Sequence, residues 1–413
     1  MFLGVKEDFR AFIKWILIAM VVGIVVGLAG GAFRGAIDVA VAYRIRTGWP
    51  LFLLPVAGIL IVFLYQRFGK NDKGTNYVLI SIRSKEQLPW VTAPLIFVST
   101  VLSHFVGASV GREGAALQLG GSIAAKLGQW MHLDDRDSHT ITMCGMSACF
   151  SALFGTPITA AIFSIEVTSI GIMHYSALVP CILSAVAARM VTQWLGISGE
   201  SFFLTGVPVI GGKSILQVIV LGILCALLSM LFCIIMHKVF FLLKQWFPNA
   251  YAKVIYGGMA MLFMTLLLGT NDYTGGGMDV VARALEGEAV PWAFIIKILL
   301  TALCLGAGFK GGEIVPSFFV GATFGCVVGV LLGLTPSFGA AMGMVAVFCG
   351  VTNCPISSML LSVELFGSRG LPFFALICAV SYMLSGYIGL YSEQKIIYSK
   401  TKTQYIDTKV TNE

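Results

Sequence analysis

The stretch GREGAALQLGG, residues 111–121, sets an arginine and a glutamate between glycines and continues into an apolar helical run. Its surroundings decide how it is read. The 413 residues are 57% hydrophobic and 11% charged, against roughly 45–50% and about 25% in soluble domains. Runs free of Asp, Glu, Lys, Arg and His recur at 15–33, 51–66, 140–165, 214–236, 254–271 and 370–392. Several reach the ~20 residues that a helical membrane span requires. They are apolar on all sides, unlike the alternating strands of a membrane barrel. The expected class is an all-α integral membrane protein. Glu113 then lies where an ionised carboxylate costs several kcal/mol unless donors surround it.

The start MFLGVKEDFRAFIKW carries mixed charge and leads into a full span without a small-residue cleavage site, so no secretory signal is expected. Ten cysteines lie singly in apolar segments without a CxxC pair and read as small buried hydrophobes. The net charge of +7 sits largely in termini and loops: Lys6, Arg10 and Lys14; then Arg67, Lys70, Lys73, Arg83 and Lys85; then Lys395, Lys400, Lys402 and Lys409. By the positive-inside rule both termini face the cytoplasm and the protein is multi-pass in the cell membrane. The basic balance reports topology, and no nucleic-acid partner is expected. His104, His132, His139, His174 and His237 are scattered without metal-ligand spacing. No Ser/His, HExxH or paired-carboxylate constellation falls within a span. Neither an enzyme nor a metal or other cofactor is expected.

Residues 314–363 form fifty positions without a charge or histidine, yet Gly321, Gly325, Gly329, Gly333, Pro336, Gly339, Gly343, Gly350 and Pro355 punctuate them. Helices there must be short, broken or tightly packed. Broken backbone at membrane depth is tolerated only inside protein or beside a wet cavity, which points to a transporter or channel. TPITAAIFSIEV (156–167) and CPISSMLLSVEL (354–365) resemble one another, with proline and glutamate nine residues apart in each. About forty residues before each stands a glycine-flanked acid, Glu113 and Glu313. Two halves built alike, each with a broken helix, are a pointer to inverted-repeat transporters. The division expected is an N-terminus at 1–8, halves at 9–195 and 213–392, a linker at 196–212 and a tail at 393–413. Glu166 and Glu364 each end a proline-started helix and are expected at the membrane surface or paired with a basic loop residue.

A broken helix presents unpaired N–H groups and about half a positive charge inside the membrane. Glycine lets the backbone approach an anion closely. KGTNYVL (73–79), GREGAAL (111–117) and KGGEIVPSFF (310–319) qualify as such turns. Taken singly, each also has a plainer reading as a polar turn or loop, and spacing alone does not decide. Converging, they would enclose a small anion in amides.

These residues resemble the CLC family of chloride channels and anion/proton antiporters. GREGAALQLGGSIA is similar to that family's GREGP element, GGEIVP to its GxFxP element, and Tyr391 in GLYSEQK to the tyrosine that closes the inner end of its pathway. The resemblance implies the CLC inverted-repeat fold of tilted and broken helices, a homodimer in the lipid bilayer, and no CBS domains in the short tail. It makes Glu113 the gating and proton-carrying glutamate. Its anion-binding positions would be Gly74, Thr75, Asn76, Tyr77, Gly111, Arg112, Gly114, Gly312, Glu313, Ile314, Val315 and Tyr391, with the amides of Glu313 and Ile314 lining the second-half turn. Three departures, GTNYV for GSGIP, Val167 for the inner proton-transfer glutamate and GGEIVP for GxFxP, are similar to the fluoride/proton antiporter branch. Thr75 stands where that branch has methionine or asparagine. The function implied is fluoride export in exchange for protons. The alternative in the same family is a chloride/proton antiporter or passive chloride channel.

Overall fold

In a computed structural model of the chain, residues 2–69, 73–84, 86 and 88–410 are described, with side chains from residue 9 onward. The basic residues Lys6, Lys70 and Lys85 lie outside the described side chains. The first series of helices is α1 (Phe2–Thr47), α2 (Leu54–Phe68), α3 (Thr75–Arg83), α4 (Thr92–Phe105), α5 (Glu113–Trp130), α6 (Asp135–Phe154), α7 (Pro157–Glu166) and α8 (Leu178–Trp194). The second is α9 (Gly212–Trp246), α10 (Ala250–Leu268), α11 (Met278–Glu286), α12 (Ala293–Ala307), α13 (Ile314–Leu331), α14 (Pro336–Thr352), α15 (Pro355–Phe366) and α16 (Leu371–Leu384). The two series run in step. Each opens with its longest helix, 46 and 35 residues, its third helix has 9 residues, and its fifth has 18. Among the described residues, six helical stretches are long and apolar enough to cross a membrane.

The glycines that punctuate 314–363 act by permitting close packing. A Cβ on Gly321 would come within 2.4 Å of the Gly343 carbonyl oxygen, and one on Gly325 within 2.2 Å of that of Gly339. Glycines four apart on α13 thus press its backbone onto α14. In the first series Gly120 of α5 meets Gly145 of α6 in the same way, its Cβ position 2.1 Å from the Gly145 carbonyl oxygen. Lipid offers no hydrophobic drive between helices, so small residues that bring backbones into van der Waals contact hold them together. Across the two series, Phe150, Phe154, Phe318, Phe348 and Phe163 close a ring of aromatic contacts with centroids 4.7–6.1 Å apart. All five are buried.

Glu166 and Glu364 pair with helix starts rather than with basic loop residues. The Glu166 carboxylate accepts from the Ile356 and Ser357 amides at 3.0 and 2.8 Å and from the Ser357 hydroxyl, at the start of α15. Glu364 accepts from the Ile158 and Thr159 amides at 2.9 and 2.8 Å, at the start of α7. Each helix therefore caps the other. A proline at the first position removes one orphan donor, and the carboxylate from the opposite half satisfies two more and complements the dipole.

A second difference concerns the tail. Ser169–Ile170 (β1), Lys395–Tyr398 (β2) and Tyr405–Lys409 (β3) form a sheet in the order β1-β2-β3, with β1 parallel and β3 antiparallel to β2. Ile170, Ile396 and Val410 make a small core beneath it. The fold is thus nearly all-helical rather than wholly so. The ten cysteines are buried and unbridged.

Candidate functional site

The GREG and GGE turns meet head to head. Gly111 and Gly312 exchange two backbone hydrogen bonds, Gly111 N–H to Gly312 O at 2.7 Å and Gly312 N–H to Gly111 O at 2.8 Å. This bridge fixes the starts of α5 and α13 against one another. The Glu113 carboxylate lies in the angle between them, where its Oε2 accepts from the amides of Arg112 and Val315, both at 3.1 Å. A Cβ on Gly111 would lie 2.5 Å from that oxygen, so the approach depends on glycine. Glu113 is fully buried, and its Oε1 has no partner among the described residues.

The second-half donor is Val315, not the amides of Glu313 and Ile314 expected from the sequence. Glu313 occupies the N-cap position of α13, and Ile314 and Val315 are its first and second helical residues. A capping oxygen bonds the second or third amide of a helix, so the Glu113 carboxylate caps α13 from across the interface. Arg112 contributes its amide only. Its guanidinium turns away to Glu200 at 2.9 Å and Asp38 at 3.5 Å.

The first turn joins through side chains. Gly74, at φ 63°, opens α3, and the Thr75 hydroxyl reaches the Gly114 carbonyl at 3.4 Å. Gln118, one turn further along α5, donates to Thr75 Oγ1 at 3.2 Å and to the Gly114 carbonyl at 3.1 Å. Sequence reasoning passed over Gln118, although its place four residues after Gly114 sets it on the same helix face. The Asn76 side-chain oxygen accepts from the Glu393 amide at 3.2 Å, tying this turn to the segment that carries Tyr391. The Tyr77 ring lies under Lys73, 5.4 Å from its Nζ, and the Tyr77 amide donates to the Gly74 carbonyl at 3.0 Å. Tyr391 is buried. Val167 is fully buried and its carbonyl accepts from Gln394 at 3.1 Å.

A cavity of about 530 Å³ reaches Glu113, Gly111 and Val315 from the end of α1 remote from the N-terminus. Charge crowds its wall. Arg34, Arg112, Asp38 and Glu200 interlock there, Arg34 with Glu200 at 3.2 Å and with Asp38 at 3.7 Å. Glu200 lies in the connecting segment, where nothing in the sequence marks it.

Comparison with known proteins places the chain in a family. The family model described as voltage gated chloride channel matches residues 57–386. A chloride/fluoride channel protein from Pseudomonas syringae pv. tomato is 35% identical over 395 residues, 94% of this chain and 87% of the relative. An H(+)/Cl(-) exchange transporter, ClcA, of Vibrio cholerae is 26% identical over 388 residues, 85% of this chain and 81% of the relative. The crystal structure of a CLC-type fluoride/proton antiporter superposes with a TM-score of 0.90 at 32% identity, covering 93% of this chain and 98% of the other. A match of the family's model across most of the chain, with a full-length relative at this identity, leaves one assignment: the chain belongs to the voltage gated chloride channel family.

Proposed function

We propose that this protein exports fluoride in exchange for protons, with Glu113 as both gate and proton carrier. One observation carries the reading: a buried carboxylate oxygen accepts backbone amides from the starts of two broken helices, one in each half. Those donors suit any small, strongly hydrated anion, and an arriving anion must displace the carboxylate to reach them. Proton and anion thus compete for one place, which couples their fluxes. The buried Oε1, without a partner, is where a proton added to the displaced side chain is carried. Relatives described as a chloride/fluoride channel protein and a fluoride/proton antiporter support fluoride as the anion. Val167 offers no titratable group at the position that serves chloride/proton exchange in the resemblance.

The protein is a secondary active transporter rather than an enzyme. Its halves, 9–195 and 213–392, act as inverted repeats about the Gly111–Gly312 bridge. It works as a homodimer in the cell membrane with both termini cytoplasmic, in keeping with the basic residues around 67–85 and 395–409. Gly74, Thr75, Gly114, Gly312 and Tyr391 shape the cage around the anion.

The test replaces the gate. Glu113→Gln keeps the size of the side chain but neither releases a proton nor mimics an anion. In proteoliposomes its anion-driven proton uptake is expected to vanish. Undiminished proton pumping in that variant would overturn the assignment.

A further inference from the structure

Lys297 stands fully buried in the apolar helix α12, where the gate makes no use of it. An amine at membrane depth is costly unless acceptors meet it. Its Nζ donates to the carbonyls of Tyr273 and Gly275 at 3.1 and 2.6 Å and lies 5.2 Å from the centre of the Phe319 ring. Both acceptors belong to the loop between α10 and α11, which ends in Gly275, Gly276 and Gly277.

That loop reaches both turns of the site. The Gly275 amide donates to the carbonyl of Ala108, on the segment that enters the GREG turn, at 3.0 Å. On its other side the loop lies flat against α13. A Cβ on Gly276 would come within 2.8 Å of Val315 Cγ1, and one on Gly277 within 2.6 Å of Phe319 Cδ2. Val315 and Phe319 are four positions apart and share one helix face. Gly277 also holds φ at 83°, which glycine adopts without strain. The Val315 amide is the donor that α13 gives to Glu113.

We propose that Lys297 is a positioning residue for the exchange: it pins the 273–277 loop as a clasp between Ala108 and the first turn of α13, and so fixes the aim of the Val315 amide at Glu113. The role rests on the proposed function, in which that amide holds the carboxylate whenever no anion does. A side chain without an amino group, such as Met, leaves both loop carbonyls without this donor and frees the loop from α12. Val315 then loses the wall behind its side chain and its amide holds the carboxylate less firmly. Fluoride passes without a proton carried in return.

The test is the number of fluoride ions moved per proton in proteoliposomes, a ratio that does not follow the amount of folded protein. In Lys297→Met it is expected to rise at least about twofold, the least that losing one hydrogen bond gives. Gly276→Ala presses on Val315 with Lys297 in place and is expected to raise the ratio as well. The double variant goes no further than the larger single effect, because both act through one contact. An unchanged ratio in either single variant, or effects that multiply in the double variant, would overturn the positioning role while the exchange itself stands. Should Lys297→Met fail to fold, an unchanged ratio in Gly276→Ala still overturns it. Fluoride efflux without proton movement in the unmodified protein would instead overturn the function, and the positioning role with it.

Discussion

A carboxylate oxygen that accepts amides from two helix starts can leave only if something replaces it. In the proposed function, that constraint makes Glu113 the gate. Its place between glycines at the head of an apolar run was legible in the sequence, while its role as a gate came only from the family resemblance. The direction of its neighbours was not legible. Arg112 turns to Glu200, which sits 88 positions away, and Asn76 spends its side-chain oxygen on Glu393 rather than facing the site. Both outcomes depend on tertiary partners that no local pattern announces. Two predictions belong at this scale. Thr75→Ser with Asn76→Gly removes the methyl beside the Thr75–Gly114–Gln118 contact and cuts the tie to the Tyr391 segment. Fluoride preference over chloride, measured as relative efflux, is expected to fall by about tenfold, or 1.4 kcal/mol. Unchanged preference would mean that the first turn does not set selectivity. Tyr391→Ala should loosen proton coupling while the protein still elutes as folded material in detergent; unaltered transport and coupling would reduce Tyr391 to packing.

At the scale of elements, the paired helices α7 and α15 are held by an exchange of caps. The nine-residue spacing of proline and glutamate in both segments was visible in the sequence, and the likeness of the two segments with it. Their mutual capping was not visible, because a helix end in an apolar chain looks bound for the surface until its opposite number is placed. Losing a cap costs about 0.5–2 kcal/mol, and a buried amide left without a partner costs about 1–3 kcal/mol. Glu166→Ala is therefore expected to lower the thermal midpoint in detergent, and by more than Glu364→Ala. Glu166 is the more buried of the two and receives a hydroxyl besides its two amides. Equal midpoints for both variants and the unmodified protein would show that the caps hold nothing. The tail sheet escaped the sequence reading for a related reason. KIIY and YIDTK are short and polar-flanked, and they become strands only because Ile170 and Ile396 find one another across the fold.

The whole molecule was legible in outline. Composition required a helical membrane protein, and two short internal likenesses suggested halves; the helices fall into two series of eight whose third and fifth members match in length. The interlocking of those halves lay beyond the sequence, since the Gly111–Gly312 bridge and the phenylalanine ring join positions about 150–200 residues apart. Their meeting point is the cage, and the cage is what the functional claim rests on. The direct measurement is ion efflux from proteoliposomes holding the purified protein, with fluoride and chloride compared at equal gradients and external pH recorded. The account expects fluoride to leave at least about tenfold faster than chloride, a margin of 1.4 kcal/mol, while protons move inward against it. Equal fluxes of the two halides, or fluoride efflux with no proton movement, would contradict it.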